Sequence, residues 1–334
     1  MPTIYLATSL DVEEEGLFTG SYAQRDVQVT NTQALLKLKP LLNLGLKPTL
    51  FCAYPVFKDL ASCKILATLR DQHACEIGAH LHYWNTPPLI GDHVLHKVPA
   101  VSLSQDIFAA KLETLLNSAK ELQASPITSF RMGRWDIHAK HFDLLAHAGI
   151  TCDASVRPLH TSATKEAGPN HFHAKASPYW IPTLHGKIFE VPLTVTPLFS
   201  YLPNILDNLE RCLPKVIAYL KARMNYWGAL ALLPVYQPLA MLKLITWLYI
   251  KRGGRLLSLT WHSSEMQPGA TPHLATPSLV AKFLERLQAY FTWLFKNYHV
   301  VSLPMGQLAD HLGATAPTIT APPTADYSVS QEHA

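Results

Sequence analysis

Charge is scarce in this chain: Asp, Glu, Lys and Arg make up 16% of its 334 residues, against 48% apolar. Disordered chains have the opposite balance, so this is a globular protein long enough to bury one large core. The small positive excess, +4, is scattered and forms no stripe that could track a phosphate backbone, which excludes nucleic acid as a partner. Cysteine is thin as well. The five thiols (Cys52, Cys63, Cys75, Cys152, Cys212) are odd in number and include no C-x-x-C pair, so neither a disulfide framework nor a zinc ribbon is expected, and a reducing, cytoplasmic setting suits them. No internal repeat is visible. The start of the chain lacks a basic n-region and turns acidic at Asp11, Glu13, Glu14 and Glu15, unlike a secretory signal.

Long apolar runs are missing too: none reaches the ~18 residues that a spanning helix needs. The most apolar region, residues 227–250, is broken by Pro234, Gln237, Pro238 and Lys243, and residues 238–250 read as a buried helix opening at a proline. Arg223 on one side and Lys251-Arg252 on the other keep a second reading open, peripheral association with the inner membrane surface.

What the chain does have is histidine, 17 residues of it. The stretch Glu76-Ile-Gly-Ala-His80-Leu-His82-Tyr-Trp84 reads as a buried strand running into a loop stopped by Pro87 and Pro88. Residues two apart on a strand face one side, so two imidazoles could share a metal there. With this much histidine a His-x-His triplet arises about once by chance, and another stands at His171-Phe172-His173, so the spacing needs support from elsewhere.

That support comes from the order of elements. Residues 4–10, 48–54, 75–79, 127–130, 150–153, 188–195, 255–261 and 299–303 read as strands. Between them lie helical stretches at 31–44, 59–72, 104–122, 138–148, 202–223 and 278–295. Such alternation argues for a parallel sheet wrapped by helices. Four of the strands end on titratable groups: Asp11 with Glu13, His80 with His82, Arg131 with Arg134, and His262. Chemistry in parallel α/β barrels sits at that end. Asp11 alone could equally be a turn residue, and Glu14 and Glu15 read as solvated. The strand 150–153 delivers Asp153; residues 155–187 read as an irregular surface excursion, and His93 and His96 as surface histidines. Trp84, Trp135 and Trp261 offer flat faces for a sugar ring, or serve only as core residues.

The set Ser9-Leu-Asp11-Val-Glu13, Ile77-Gly-Ala-His80, Arg131-Met-Gly-Arg134-Trp135, Cys152-Asp153-Ala-Ser155 and Trp261-His262-Ser-Ser264 resembles, in order, the motifs of the polysaccharide deacetylase (NodB-homology, carbohydrate esterase family 4) superfamily. It is most similar to the WalW-type branch. The resemblance implies a distorted (β/α) barrel of about seven strands over residues 1–313, followed by a flexible tail at 314–334. It implies a hydrolase that removes the N-acetyl group of an amino sugar in a bacterial surface polysaccharide or its lipid-linked precursor. In the family's scheme Asp11 is the general base, Arg131 (or Arg134) orients it, His262 is the general acid and Asp153 a supporting partner.

Two departures stand out. Val12 occupies the place of the family's second aspartate, so Glu13 would have to reach the metal. Trp84 occupies the place of its second histidine, so His82 would be the other imidazole. Glu13, His80 and His82 are thus the expected ligands of Zn²⁺, or of Co²⁺ or Ni²⁺. If the departures mark lost chemistry, the alternatives are a carbohydrate-binding barrel without activity or a metal-independent amide or O-acetyl hydrolase.

Overall fold

The computed structural model describes residues 2–20, 22, 25–89, 100–161 and 168–320; His93, His96 and residues 321–334 of the expected tail lie outside them. The strands are β1 (Ile4–Val12), β2 (Thr49–Ala53), β3 (Glu76–Leu81), β4 (Ser129–Met132), β5 (Cys152–Asp153), β6 (Tyr179–Thr183), β7 (Gly186–Glu190), β8 (Val195–Pro197), β9 (Ala229–Ala231), β10 (Leu256–His262) and β11 (Val300–Ser302). Nine of them form one curled sheet in the order β10-β1-β2-β3-β4-β5-β7-β6, with β11 beside the start of β1.

Seven of these strands run parallel around the wall, as expected; β11 is a short parallel addition and β6 an antiparallel flap on β7. The ladder does not close on itself. Beyond β7 the chain reaches back to β10 through Thr194, whose N–H donates to the Ser258 carbonyl (3.0 Å) and whose hydroxyl accepts the Ser258 N–H (2.8 Å). The result is a distorted barrel joined at one residue.

Helices cover the wall for the reasons the sequence suggested. Asp59 caps Leu60–His73 by accepting the Ser62 N–H (2.7 Å), and Ser104 caps Gln105–Ala119 by accepting that of Ile107 (3.3 Å). Residues 31–44 depart from expectation: a 3-10 run, Thr30–Leu38, passes into a short α-turn, Lys39–Leu42. Pro40 has no N–H to donate, so the continuous ladder fails there. Residues 202–223 divide likewise into Leu202–Glu210 and Pro214–Ala222, and Met224–Trp227 follows as a separate turn.

The expected surface excursion is largely packed in. Its Val156, His171, Phe172 and Tyr179 are buried, and β6 lies within it. The first part of the expected tail is also placed: the Trp180 N–H donates to the Pro317 carbonyl (2.9 Å), and the Ile319 N–H donates to that of Trp180 (3.0 Å).

Two core histidines tie stability to pH. Burial holds His141 and His171 down to about 3, with the nearby positive groups His138 and His160 adding to it. His141 stacks flat on Phe108 (4.2 Å) and is neutral, its Nδ1 accepting the His138 N–H (3.1 Å). An unfolded histidine titrates near ~6.5, so below that pH the unfolded chain takes up protons that the folded one refuses. Stability is complete above ~6.5 and is lost as pH falls toward about 3. The urea midpoint should therefore drop steadily over that window; a flat midpoint would mean that these imidazoles are not held neutral.

Candidate metal centre and catalytic site

The C-terminal ends of β1, β3, β4 and β10 converge at one mouth of the barrel. Along β1, alternation sends Val12 into the core while Asp11 faces the barrel interior, and Glu13, just past the strand, joins Asp11. β3 carries His80 at its end, and His82 follows one residue beyond it. Glu13 Oε2 lies 3.3 Å from His80 Nε2 and 3.2 Å from His82 Nε2, and ligand atoms of all three residues fall within 4.8 Å of one another. Bonds of ~2.0–2.1 Å to a tetrahedral ion put neighbouring ligand atoms about 3.3 Å apart, so the spacing fits a divalent metal with a position left open.

The rings are held for that purpose. His80 Nδ1 faces the Arg131 carbonyl (3.0 Å), and His82 Nδ1 lies 3.0 Å from both carboxylate oxygens of Glu14. Each Nδ1 thus donates outward and aims Nε2 at the shared point, where it faces Glu13. Glu14, expected in solvent, is fully buried and also accepts from Trp84 Nε1 (2.8 Å), while Trp84 stacks on His82 at 4.2 Å. Gly133 makes room, because a Cβ there would stand 2.4 Å from His82 Cδ2.

Burial alone would lower the pKa of His82, but the carboxylates of Glu14 and Glu13 overcome it and push the group up to about 10. Burial would likewise raise Glu13; the positive charge of His262 and the hydrogen bonds from His80 and His82 hold it far below the usual carboxylate range instead. The geometry and the negative charge of the pocket suit a divalent cation as well as a proton. Glu14→Gln should weaken metal affinity about 10–100-fold by removing the charge behind His82, read by competition with a chromogenic chelator. Unchanged affinity would show that Glu14 is only packing.

Next to this triad stands an ion pair. Arg131 is buried and four of its five N–H donors are taken: one Nη donates to Asp11 Oδ1 (2.6 Å) and Thr260 Oγ1 (2.9 Å), the other to Ser9 Oγ (2.9 Å), and Nε to the Ala154 carbonyl (2.9 Å). Its guanidinium lies over the Phe51 ring at 4.4 Å. Burial would raise the pKa of Asp11; Arg131, then His80 and His262, more than offset this and keep it ionised.

The second oxygen of Asp11 looks toward His262, whose Nε2 is 3.7 Å from Oδ2. The two residues are cross-strand partners in β1 and β10. His262 Nδ1 lies 3.3 Å from Glu265, and Phe18 packs edge-on against its ring at 4.9 Å. With 23% of its side chain exposed, against 3% for Asp11, His262 is the member of this group that meets solvent. Burial would lower its pKa, yet Glu265, Glu13 and Asp11 raise it to about 10.

The remaining expected residues do not all arrive. Arg134 is exposed, with a left-handed backbone (φ 58°), and lies over Tyr22 rather than beside Asp11. Asp153 holds Ser155, accepting its hydroxyl (2.6 Å) and N–H (3.0 Å), and Ser155 Oγ in turn accepts the Met132 N–H (2.8 Å). Its carboxylate therefore braces the end of β4 and has no bond to Arg131. Trp84 and Trp261 are buried and cannot present a face to a sugar; only Trp135, half-buried and 4.9 Å from the Arg131 guanidinium, lines the mouth. Glu14, Ser9, Thr260 and Glu265 are the functional residues that sequence reasoning missed. Two of them, Ser9 and Thr260, lie two residues before Asp11 and His262, so strand alternation points to them.

The sequence matches no family model and no curated protein. The similarities are to solved structures. A protein described as a polysaccharide deacetylase from Mycobacterium smegmatis is 16% identical, with 95% of this chain and 94% of that one covered at a TM-score of 0.52. A protein described as a glycoside hydrolase/deacetylase from Parabacteroides distasonis is 9% identical over 92% of this chain and 70% of that one, at 0.56. The allantoinase Puue is 13% identical over 95% and 92%, at 0.52. The chain has the polysaccharide-deacetylase fold, a barrel that this last likeness shows is not confined to sugar chemistry.

Proposed function

We propose that this protein is a metal-dependent hydrolase that removes the N-acetyl group of an amino sugar, in a bacterial surface polysaccharide or its lipid-linked precursor, as a WalW-type member of the deacetylase superfamily. The observation that carries the reading is the pairing of an Arg-bound carboxylate, Asp11, with a solvent-facing histidine, His262, beside a Glu13–His80–His82 triad whose spacing fits an ion. A divalent metal, Zn²⁺ first, with Co²⁺ or Ni²⁺ as substitutes, would be held by these three residues and would supply Lewis-acid polarisation of the acetyl carbonyl and an acidified water.

The chain's own residues do the rest. Asp11, held ionised by Arg131, takes the proton of the attacking water through the oxygen that Arg131 leaves free. His262, kept protonated by Glu265 and Glu13, gives its proton to the leaving nitrogen. Trp135 and Phe18 supply partly open aromatic faces at the mouth. The five unpaired thiols support a cytoplasmic location, and no helix among the described residues is long and apolar enough to cross a membrane.

The test is elemental analysis of the purified protein beside acetate release from N-acetylated oligosaccharides. Chelation should abolish release and Zn²⁺, Co²⁺ or Ni²⁺ restore it; a preparation that no metal activates overturns the proposal. His262→Gln should keep its metal and lose about 10²-fold in kcat, the lower end of the range for a proton donor, because this position meets water that can stand in for the acid.

A further inference from the structure

The helical layer between β8 and β10 carries the chain's largest set of exposed aromatic and aliphatic side chains. Phe199, Tyr201, Trp227 and Trp247 are 51%, 58%, 41% and 46% exposed. Along Leu202–Glu210, Ile205 and Leu209 are exposed one turn apart while Leu206 is buried; along Pro214–Ala222, Val216 and Tyr219 are exposed while Ile217 is buried. These helices thus show apolar surface on both sides, which a layer facing water on one side does not need.

Charge in the same stretch is one-sided. Residues 198–252 hold seven basic residues (Arg211, Lys215, Lys221, Arg223, Lys243, Lys251, Arg252) and two acidic ones, Asp207 and Glu210. The difference, +5, exceeds the +4 of the entire chain. Both acids face Lys221, whose Nζ lies 2.7 Å from Asp207 and 2.6 Å from Glu210, and Asp207 also lies 3.6 Å from His173 Nε2. Several other cations sit among the aromatics: Lys251 lies over Trp247 (4.6 Å) and Arg223 over Tyr219 (4.6 Å). Arg252 ties this helix end to the next segment by donating to the carbonyls of Pro197 (2.5 Å) and Leu198 (3.1 Å), while the Leu198 N–H donates to Gly228 (2.7 Å). The segments that carry these aromatics and cations are therefore joined in one layer.

We infer that this face docks on an anionic phospholipid bilayer, with Phe199, Tyr201, Trp227 and Trp247 entering the headgroup layer and Lys215, Lys251 and their neighbours meeting lipid phosphates. Exposed aromatic and aliphatic groups interleaved with Lys and Arg, on helices too short to span, are the chemistry of interfacial binding. A second copy of the chain suits the face poorly, because two surfaces of the same positive sign would be brought together. The layer leads directly to the mouth: Trp135 packs against the cluster that holds Leu206, Ile217 and Met224, and covers Arg131. A sugar met there would be lipid-linked, a step that rests on the deacetylase reading. Bilayer docking itself does not.

Sedimentation of the full-length protein with vesicles of phosphatidylcholine, alone or mixed with phosphatidylglycerol, tests the docking with no substrate present. Binding should require phosphatidylglycerol and fall with added salt. Phe199→Ser with Trp227→Ser, and separately Lys215→Glu with Lys251→Glu, should each weaken it about tenfold or more. The charge pair keeps the test valid if the aromatic pair fails to fold, and hydrolysis of a water-soluble N-acetylated oligosaccharide should be unchanged in the charge pair. Protein that stays in the supernatant at low salt overturns the inference. So does a dimer in analytical ultracentrifugation that the aromatic pair splits, since the face would then belong to a second copy.

Discussion

Asp11→Asn should lower kcat by about 10²–10⁴-fold while leaving metal content and fold intact. The substitution keeps the shape of the side chain and an oxygen to accept from Arg131, so the bond now 2.6 Å long has a successor. It removes the charge that takes the proton, which is also the charge that balances buried Arg131, so some stability is lost with it. Asp11 is outside the triad of Glu13, His80 and His82, so metal bound per chain, measured by elemental analysis, should not change. Substrate binding that does not depend on the charge should leave KM near its original value. A variant that retains most of its rate would place the base elsewhere and dissolve the proposed division of roles.

The second large effect is on stability. Arg131→Met should cost about 3–5 kcal/mol, because it leaves Asp11 ionised, buried and without its cation. The loss would appear as a lower urea midpoint with an unchanged slope. Arg131→Met combined with Asp11→Leu should recover part of it, since no lone charge then remains. Recovery stays incomplete, because the hydroxyls of Ser9 and Thr260 and the carbonyl of Ala154 lose the same donor. If the single and double variants were equally unstable, the cost would lie in packing against Phe51 and not in the ion pair.

Much of this site was legible because strand ends are regular. Asp11, His80, Arg131 and His262 could be placed at one mouth from alternation and order alone, and the structure brings them there. Glu14 was not legible: β1 stops at Val12, period-two reasoning stops with it, and the turn that follows carries Glu14 beneath His82. Glu265 was hidden similarly, since a 3-10 turn after β10 returns its carboxylate to the His262 N–H (2.9 Å). Trp84 and Trp261 misled because a tryptophan near a candidate site reads alike whether it faces ligand or core. The flap strand β6 was missed because Pro182 and its polar surroundings imitate a loop, which an edge strand tolerates.

The proposed base and acid sit on facing rungs of a parallel ladder, Asp11 opposite His262. Their backbones are therefore held at strand spacing, about 4.8 Å in any sheet, while Glu265 and Phe18 from the segments just above set the His262 ring. Changes in the loops beyond Phe18 and Glu265 can recut the groove for another substrate while the proposed proton-handling pair stays in place. In this barrel, selectivity and reactivity are free to evolve separately.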